Sequence, residues 1–239
     1  MKNLFIFKIG STFPDMAERY GDFEEWIASG LQAKRTKVTV LDLLTTGSSL
    51  PAYADLGGIV ITGSHEMITD RPDWSEGAAK WLPGAVDRRI PILGICYGHQ
   101  LLAHSLGGEV DNNPKGLEFG TIKISLTEAS ASDRLFDNLE SGFDAHVTHT
   151  QSITRLPRGA TRLAYSDRDP NQAFAIGDAA WGVQFHPEFN QEITKDYIGA
   201  MAEALSSQGD DPDRLMEHCK ETPESTSLLK RFCRIVESR

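Results

Sequence analysis

The chain has 239 residues, with 24 Lys or Arg against 34 Asp or Glu and a formal net charge of −10. That excess disfavours nonspecific attraction to nucleic acid or to anionic lipid, which leaves small molecules or other proteins as the expected partners. No stretch approaches eighteen continuous apolar residues, and the N-terminal MKNLFIFKIG has no small-residue cleavage site, so a soluble, cytoplasmic protein is expected, with neither nucleic acid nor membrane as partner.

In chain order, NLFIFKIG reads as a first strand, Phe23 to Leu31 as an amphipathic helix, and KVTVLDLL and GGIVITGS as further strands. WSEGAAKWLPGAVDRR then predicts a helix, IPILGIC a buried strand and HQLLAHSLGG a helix ended by Gly107 and Gly108. Near-continuous Val/Ile/Leu strands alternating with helices predict an α/β fold: a doubly wound, mostly parallel, flavodoxin-like sheet with helices on both faces. Beyond Gly108 the pattern shifts to GTIKISLT, DAHVTHTQSI, ATRLAYS, QAFAIG and AWGVQFHPE, an antiparallel or mixed extension of the same sheet. Three helical segments close the chain, at about Ile193 to Leu205, Asp213 to Cys219 and Ser225 to Val236. No stretch reads as a linker, so residues 1–239 are expected to form a single domain, with a core of about 1–190 and a helical extension of about 191–239.

The chemistry concentrates in GICYGHQ, Gly94 to Gln100. Cys96 sits where a buried strand meets a helix, and Gly94-Ile95-Cys96-Tyr97-Gly98 matches the G-x-nucleophile-x-G elbow, in which a sharp turn lifts one side chain above the sheet edge. A lone cysteine is more often a packed core thiol. The flanking glycines and the carboxyl end of a parallel strand favour a nucleophile instead. The helix N-terminus behind it supplies amide donors and a dipole suited to a thiolate and to a developing oxyanion, with the Tyr97 amide as one donor. A second donor is expected from Gly63 or Ser64 at the end of the neighbouring strand. The three cysteines, Cys96, Cys219 and Cys233, are too widely spaced for a metal site and fit a reducing compartment.

A thiol nucleophile needs a base and a group that orients it. In WGVQFHPEF, Trp181, Val183 and Phe185 alternate on one face, which places His186 at the carboxyl end of a strand and Glu188 within reach of its Nδ1. His99 and His104 are expected to be packing or surface residues and His218 to be exposed. His65 and His149 read more readily as satisfied polar loop residues than as site-lining ones. The His146 and His149 pair in HVTH has no neighbouring ligand pattern, so no metal is expected.

GICYGHQLLAHSLGG, GVQFHPEF and the upstream IVITGSHEMITD together resemble class I, or triad, glutamine amidotransferases, and most closely the group that includes the glutaminase domain of GMP synthase. The resemblance runs from about Leu4 to Phe189 and takes in NPKGLEFGT and SITRLPRGATRLAYS. It implies that Cys96 attacks the side-chain carboxamide of glutamine, that His186 protonates the departing ammonia, and that Glu188 orients His186. It further implies an oxyanion hole of the Gly63 and Tyr97 amides, a glutamine pocket shaped by Gln100, a γ-glutamyl thioester on Cys96, and no cofactor. Two segments depart from the family pattern: Thr62-Gly63-Ser64 stands where Gly-Gly-Pro is usual, and His149-Thr150-Gln151 replaces a His-x-Asp. The implied activities are a glutaminase that hands ammonia to a synthase subunit, or a free-standing hydrolase of γ-glutamyl amides or peptides. A noncatalytic regulatory module is the third reading and the least favoured.

Overall fold

A computed structural model describes residues 3–45 and 50–239; Met1 and Lys2 of the N-terminal run lie outside the described residues. Strand β1 (Asn3–Lys8) is followed by α1 (Pro14–Tyr20), α2 (Phe23–Leu31) and β2 (Val38–Asp42). Next come β3 (Leu56–Ile61), α3 (Asp73–Asp87), β4 (Ile92–Ile95) and α4 (Tyr97–Ser105). The remaining strands are β5 (Glu109–Asn112), β6 (Glu118–Leu126), β7 (Gly142–His149), β8 (Gln151–Arg155), β9 (Ala160–Tyr165), β10 (Ala173–Ile176) and β11 (Ala180–Val183). The chain ends in α5 (Gln191–Ala200), α6 (Ala202–Ser207), α7 (Pro212–His218) and α8 (Pro223–Glu237).

Among the described residues the main sheet has the order β2-β1-β3-β4-β11-β10-β9-β6-β7. Its first five strands are mutually parallel and the rest antiparallel, so the segment after Gly108 supplies one parallel strand, β11, as well as the antiparallel ones. Alternation along the strands splits the core into two layers. Leu4, Ile6, Val60, Leu93, Trp181 and Val183 face α2 and α8, whereas Phe7, Ile59, Ile61 and Ile92 face α3 and α4. The buried stripe of α8, Leu228, Leu229, Phe232, Cys233, Ile235 and Val236, follows helical spacing. It lies directly on the parallel strands: a Cβ on Gly58 of β3 would stand 2.6 Å from Val236.

Two local expectations are corrected. DAHVTHTQSI is not one strand; the chain bends at Thr150, and β8 leaves the main sheet to pair with β5. The Thr150 carbonyl accepts from the Asn113 amide instead of continuing the β6–β7 ladder. The helical segment expected over Ile193 to Leu205 breaks at Met201 into α5 and α6.

The loop after β1 is held by Asp22, the N-cap of α2. Its carboxylate accepts from the amides of Thr12 and Phe23, and Glu25 bonds back to the Asp22 amide in a capping box. Lys8 reaches both Asp22 and Glu24 at 2.7 Å. Burial opposes the Asp22 charge, but Lys8 and the backbone donors outweigh it and hold its carboxyl below the usual range. These contacts fix Phe13 over the carboxyl end of the sheet.

Candidate active site

Three adjacent parallel strands, β3, β4 and β11, end side by side, with Ile61 paired to Gly94 and Gly94 to Gly182. Their carboxyl ends deliver Gly63, Cys96 and, three residues past the end of β11, His186. Each belongs to a different part of the sequence, and only the strand order makes them neighbours.

Cys96 is the first residue past β4 and adopts φ 51°, ψ −105°, in the region that a non-glycine residue enters only at a cost. The two elbow glycines are required by space. A Cβ on Gly94 would stand 2.3 Å from the Gly98 carbonyl oxygen, and one on Gly98 would stand 2.6 Å from the Ile61 carbonyl oxygen. Both obstacles are backbone, so neither can swing aside. Gly98→Ala is expected to cost about 2–3 kcal/mol, read as a fall in Tm of roughly 5–10 °C; a Tm within about 1 °C of the parent would contradict the close approach.

His186 is 2% exposed and its backbone amide donates to the His146 carbonyl. Its Nδ1 lies 2.8 Å from Glu188 Oε1, with both side chains almost fully buried. Pro187 ends the run, and the chain doubles back so that the Phe189 amide bonds to the His186 carbonyl. Burial pulls the imidazole pKa down, but the charge of Glu188, its hydrogen bond to Nδ1 and the nearby Cys96 sulfur push it up to about 10. His186 Nε2 has no hydrogen bond of ordinary geometry among the described residues, and Cys96 Sγ sits 3.9 Å from the Thr148 carbonyl.

Gly63 lies between the two. A Cβ there would stand 3.2 Å from His186 Cε1 and 3.6 Å from Cys96 Cβ. Neither the Gly63 nor the Tyr97 amide donates a hydrogen bond among the described residues, which leaves two backbone donors beside the thiol. The Tyr97 ring is anchored away from them, its hydroxyl donating to Ser75 Oγ at 2.9 Å and its ring packed on Trp74.

A cavity of about 240 Å³ opens over Cys96 and Tyr97. Gln100 lines it, donating through Nε2 to the Gln151 carbonyl at 2.9 Å and to Gln184 Oε1 at 3.0 Å. Thr148, His149, Thr150 and Gln151 line it beside Gln100, and the aromatic cluster of Phe13, His65 and Tyr197 lines it too, together with Ser64, Glu66, Met67, Leu117 and Met201.

The other histidines separate cleanly. His149 lines the cavity but has both ring nitrogens committed, Nδ1 to the Gln151 carbonyl and Nε2 to Glu118 Oε2, each at 3.0 Å. It is therefore a satisfied buried residue with no nitrogen left to act as a base. His146 bonds through Nδ1 to Thr121 Oγ1 and is held down to about 4 by burial and by the charge of His186. His99 is a core residue against Phe174, lowered to about 3 chiefly by burial. His104 pairs with Glu76 at 2.9 Å, and His218 is exposed. His65 does line the cavity, its Nε2 3.1 Å from the Tyr197 hydroxyl. At the departure from His-x-Asp, the Gln151 side chain turns to Thr69 Oγ1 and Asn112 Oδ1, and its carbonyl faces Gln100 and His149.

Sequence reasoning passed over Phe13, Thr148, Tyr197 and Met201. Phe13 carried a usable signal, since it follows the first parallel strand at the end where α/β sites form. Tyr197 and Met201 carried none, because a helix pattern does not say which loop the helix covers.

A doubly wound sheet with a cysteine at a positive-φ strand-to-helix elbow, next to a histidine–carboxylate pair, is the architecture of α/β proteins built around a nucleophile elbow. Residues 16–200 match the family model for glutamine amidotransferase class-I. The chain is 30% identical over 184 residues to GMP synthase [glutamine-hydrolyzing] of Clostridium botulinum, covering 74% of this chain and 34% of that protein. It is 31% identical over 167 residues to the GMP synthase of Prochlorococcus marinus, covering 70% and 30%. The chain thus spans about a third of the length of these curated relatives. Among solved structures, a glutamine amidotransferase from Thermotoga maritima superposes with a TM-score of 0.75 at 24% identity, covering 99% of both chains. One from Methylobacillus flagellatus gives 0.75 at 22% identity, covering 99% of this chain and 93% of that one; both likenesses concern the fold. The chain belongs to the class I glutamine amidotransferase family.

Proposed function

We propose that this protein cleaves the side-chain amide of glutamine, or a related γ-glutamyl amide, through a Cys96–His186–Glu188 triad. The observation that carries the reading is the meeting, at three adjacent strand ends, of a strained Cys96, two free backbone amides and a His186 already bonded to Glu188. Cys96 Sγ adds to the amide carbon, and the Gly63 and Tyr97 amides receive the oxyanion. The imidazolium of His186 protonates the departing nitrogen, which leaves a γ-glutamyl thioester. A water molecule, giving its proton to His186, then releases glutamate. Glu188 holds the imidazole with Nε2 toward the sulfur, and Gln100, by holding the Gln151 carbonyl, shapes the glutamyl pocket.

The names of the relatives support a synthase, as a partner subunit or a further domain, as the acceptor of the ammonia. The departures at Thr62-Gly63-Ser64 and His149-Thr150-Gln151 favour a γ-glutamyl amide hydrolase as a second reading. We take residues 1–239 as one catalytic unit, working in the cytoplasm without a cofactor. No helix of the described residues is long and apolar enough to cross a membrane.

The test is glutamate release from glutamine, together with intact-mass detection of a glutamyl adduct on Cys96, against a Cys96→Ala control. Glutamate release that persists in the control would overturn the triad. Gly63→Ala is a finer probe, because it keeps the amide but presses a methyl on His186 Cε1. It is expected to lower kcat about 10²-fold with a Tm change of no more than roughly 2 °C, whereas unchanged kcat would remove Gly63 from the site.

A further inference from the structure

The cavity over Cys96 has two walls of opposite chemistry. One is polar and braced: Gln100 and the bend from β7 into β8, tied together through the Gln151 carbonyl. The other is aromatic and apolar. Phe13 packs on His65 and Tyr197 at ring separations of 4.7 and 5.2 Å, with Met201 alongside. The Tyr197 hydroxyl is engaged by Thr12 Oγ1 at 2.7 Å and His65 Nε2 at 3.1 Å, so the polar end of this residue is already bonded to the protein. Partial burial and the charge of His186 hold the His65 imidazole below its ordinary range, and burial pushes the Tyr197 hydroxyl up. Phe13, His65, Tyr197 and Met201 thus present no charge at neutral pH, and among the described residues the one carboxylate nearby on the cavity lining is Glu66, on the loop after β3.

The position of His186 decides which half of a substrate meets which wall. Its ring stacks on Phe189 at 4.2 Å, and Phe189 packs on Tyr197 at 4.9 Å, so the imidazole is continuous with the aromatic wall. In the catalytic reading above, on which this inference rests, the departing nitrogen takes its proton from that imidazole. The amine half therefore faces Phe13, His65, Tyr197 and Met201, and the α-amino and α-carboxylate groups of the glutamyl half face the polar wall. Ammonia has no surface for an aromatic wall to contact. An apolar substituent on the nitrogen does, and desolvating it there is favourable.

We infer that the preferred substrates are γ-glutamyl amides carrying an apolar or aromatic substituent on the amide nitrogen, seated between Phe13, His65, Tyr197 and Met201. The chemistry balances as before. The Cys96 thiolate forms the C–S bond, the C–N bond breaks with its electron pair staying on nitrogen, and the amine leaves with the His186 proton. Water then replaces sulfur on the carbonyl carbon.

The experiment compares kcat/KM for glutamine, γ-glutamylglycine and γ-glutamylphenylalanine in the full chain and in Phe13→Ala and Met201→Ala, with the Cys96 adduct followed by mass. The phenylalanine compound is expected to exceed the glycine compound about ten- to a hundredfold, and either variant to shrink that ratio at least severalfold. Met201 is half-buried between α5 and α6, away from the loop that carries Phe13, so its variant reports on selectivity even where Phe13→Ala disturbs that loop. An adduct on Cys96 with a ratio near one, or a ratio indifferent to both substitutions, overturns the substrate class and leaves the triad standing. Absence of an adduct with every substrate overturns both.

Discussion

Cys96→Gly is expected to be inactive and yet more stable than Cys96→Ala. Loss of the sulfur removes the only atom that can form the thioester, and turnover should fall at least about 10³-fold in both variants. Stability separates them. At an ordinary position glycine is less stable than alanine by roughly 0.5–1 kcal/mol, through the entropy of the unfolded chain. At φ 51°, ψ −105° a Cβ is itself the strained group, and such residues cost about 1–3 kcal/mol. The order should invert, with the glycine variant ahead by about 1 kcal/mol, or roughly 2–4 °C in Tm. Thermal denaturation of the two variants side by side decides it. A glycine variant less stable than alanine would mean that the elbow holds no strain at Cys96 and that the backbone has another reason for its shape.

Glu188→Gln is expected to lower kcat/KM by about 10³–10⁴ without unfolding the protein. The side chain is fully buried and the replacement is isosteric, so no cavity forms. What changes is the hydrogen bond at His186 Nδ1: an amide can offer a donor there, permit the wrong tautomer, and remove the negative charge that sustains the imidazolium. Glu188 is the strongest of the influences that raise the His186 pKa. Its removal should move the alkaline limb of the pH–rate profile to lower pH. Stability should follow the same proton. An unfolded histidine titrates near pH 6.5, so the extra proton affinity of folded His186 stabilises the protein fully below that pH, and the contribution fades as pH rises toward about 10. The variant should show a flatter decline over that interval. A loss of activity under tenfold, or an unmoved alkaline limb, would show that the pair seen at 2.8 Å does not orient the base.

Much of this site is legible in short windows of sequence, because its requirements are local. The elbow needs glycine at 94 and 98 for reasons internal to one turn, and the turn chemistry announces itself as G-x-C-x-G. His186 and Glu188 are two residues apart, so their contact depends on one bend at Pro187. The α2 helix is bounded by its own capping box and agrees with the expected Phe23 to Leu31. The bend at Thr150 was hidden because Val147 to Ile153 is continuously β-like; only the competing partner strand β5 takes the second half away. His149 reads in sequence as a satisfied polar residue, but its partner is invisible there. Nothing within ten residues reveals that Glu118, on β6, will satisfy its Nε2.

The amino-acid sequence by itself determined the alternation of strands and helices, the strained elbow at Cys96 and the histidine–carboxylate step at His186 and Glu188, since each follows from side-chain periodicity, turn sterics or spacing within one turn of chain. The tertiary structure alone decided that β3, β4 and β11 lie side by side, that α8 seals one face of the sheet, and that Phe13, Tyr197 and Met201 wall the cavity beside His186. Strand order and helix placement are set by which hydrophobic faces bury one another across more than a hundred residues. A periodic pattern states that a face must be covered, but not by what.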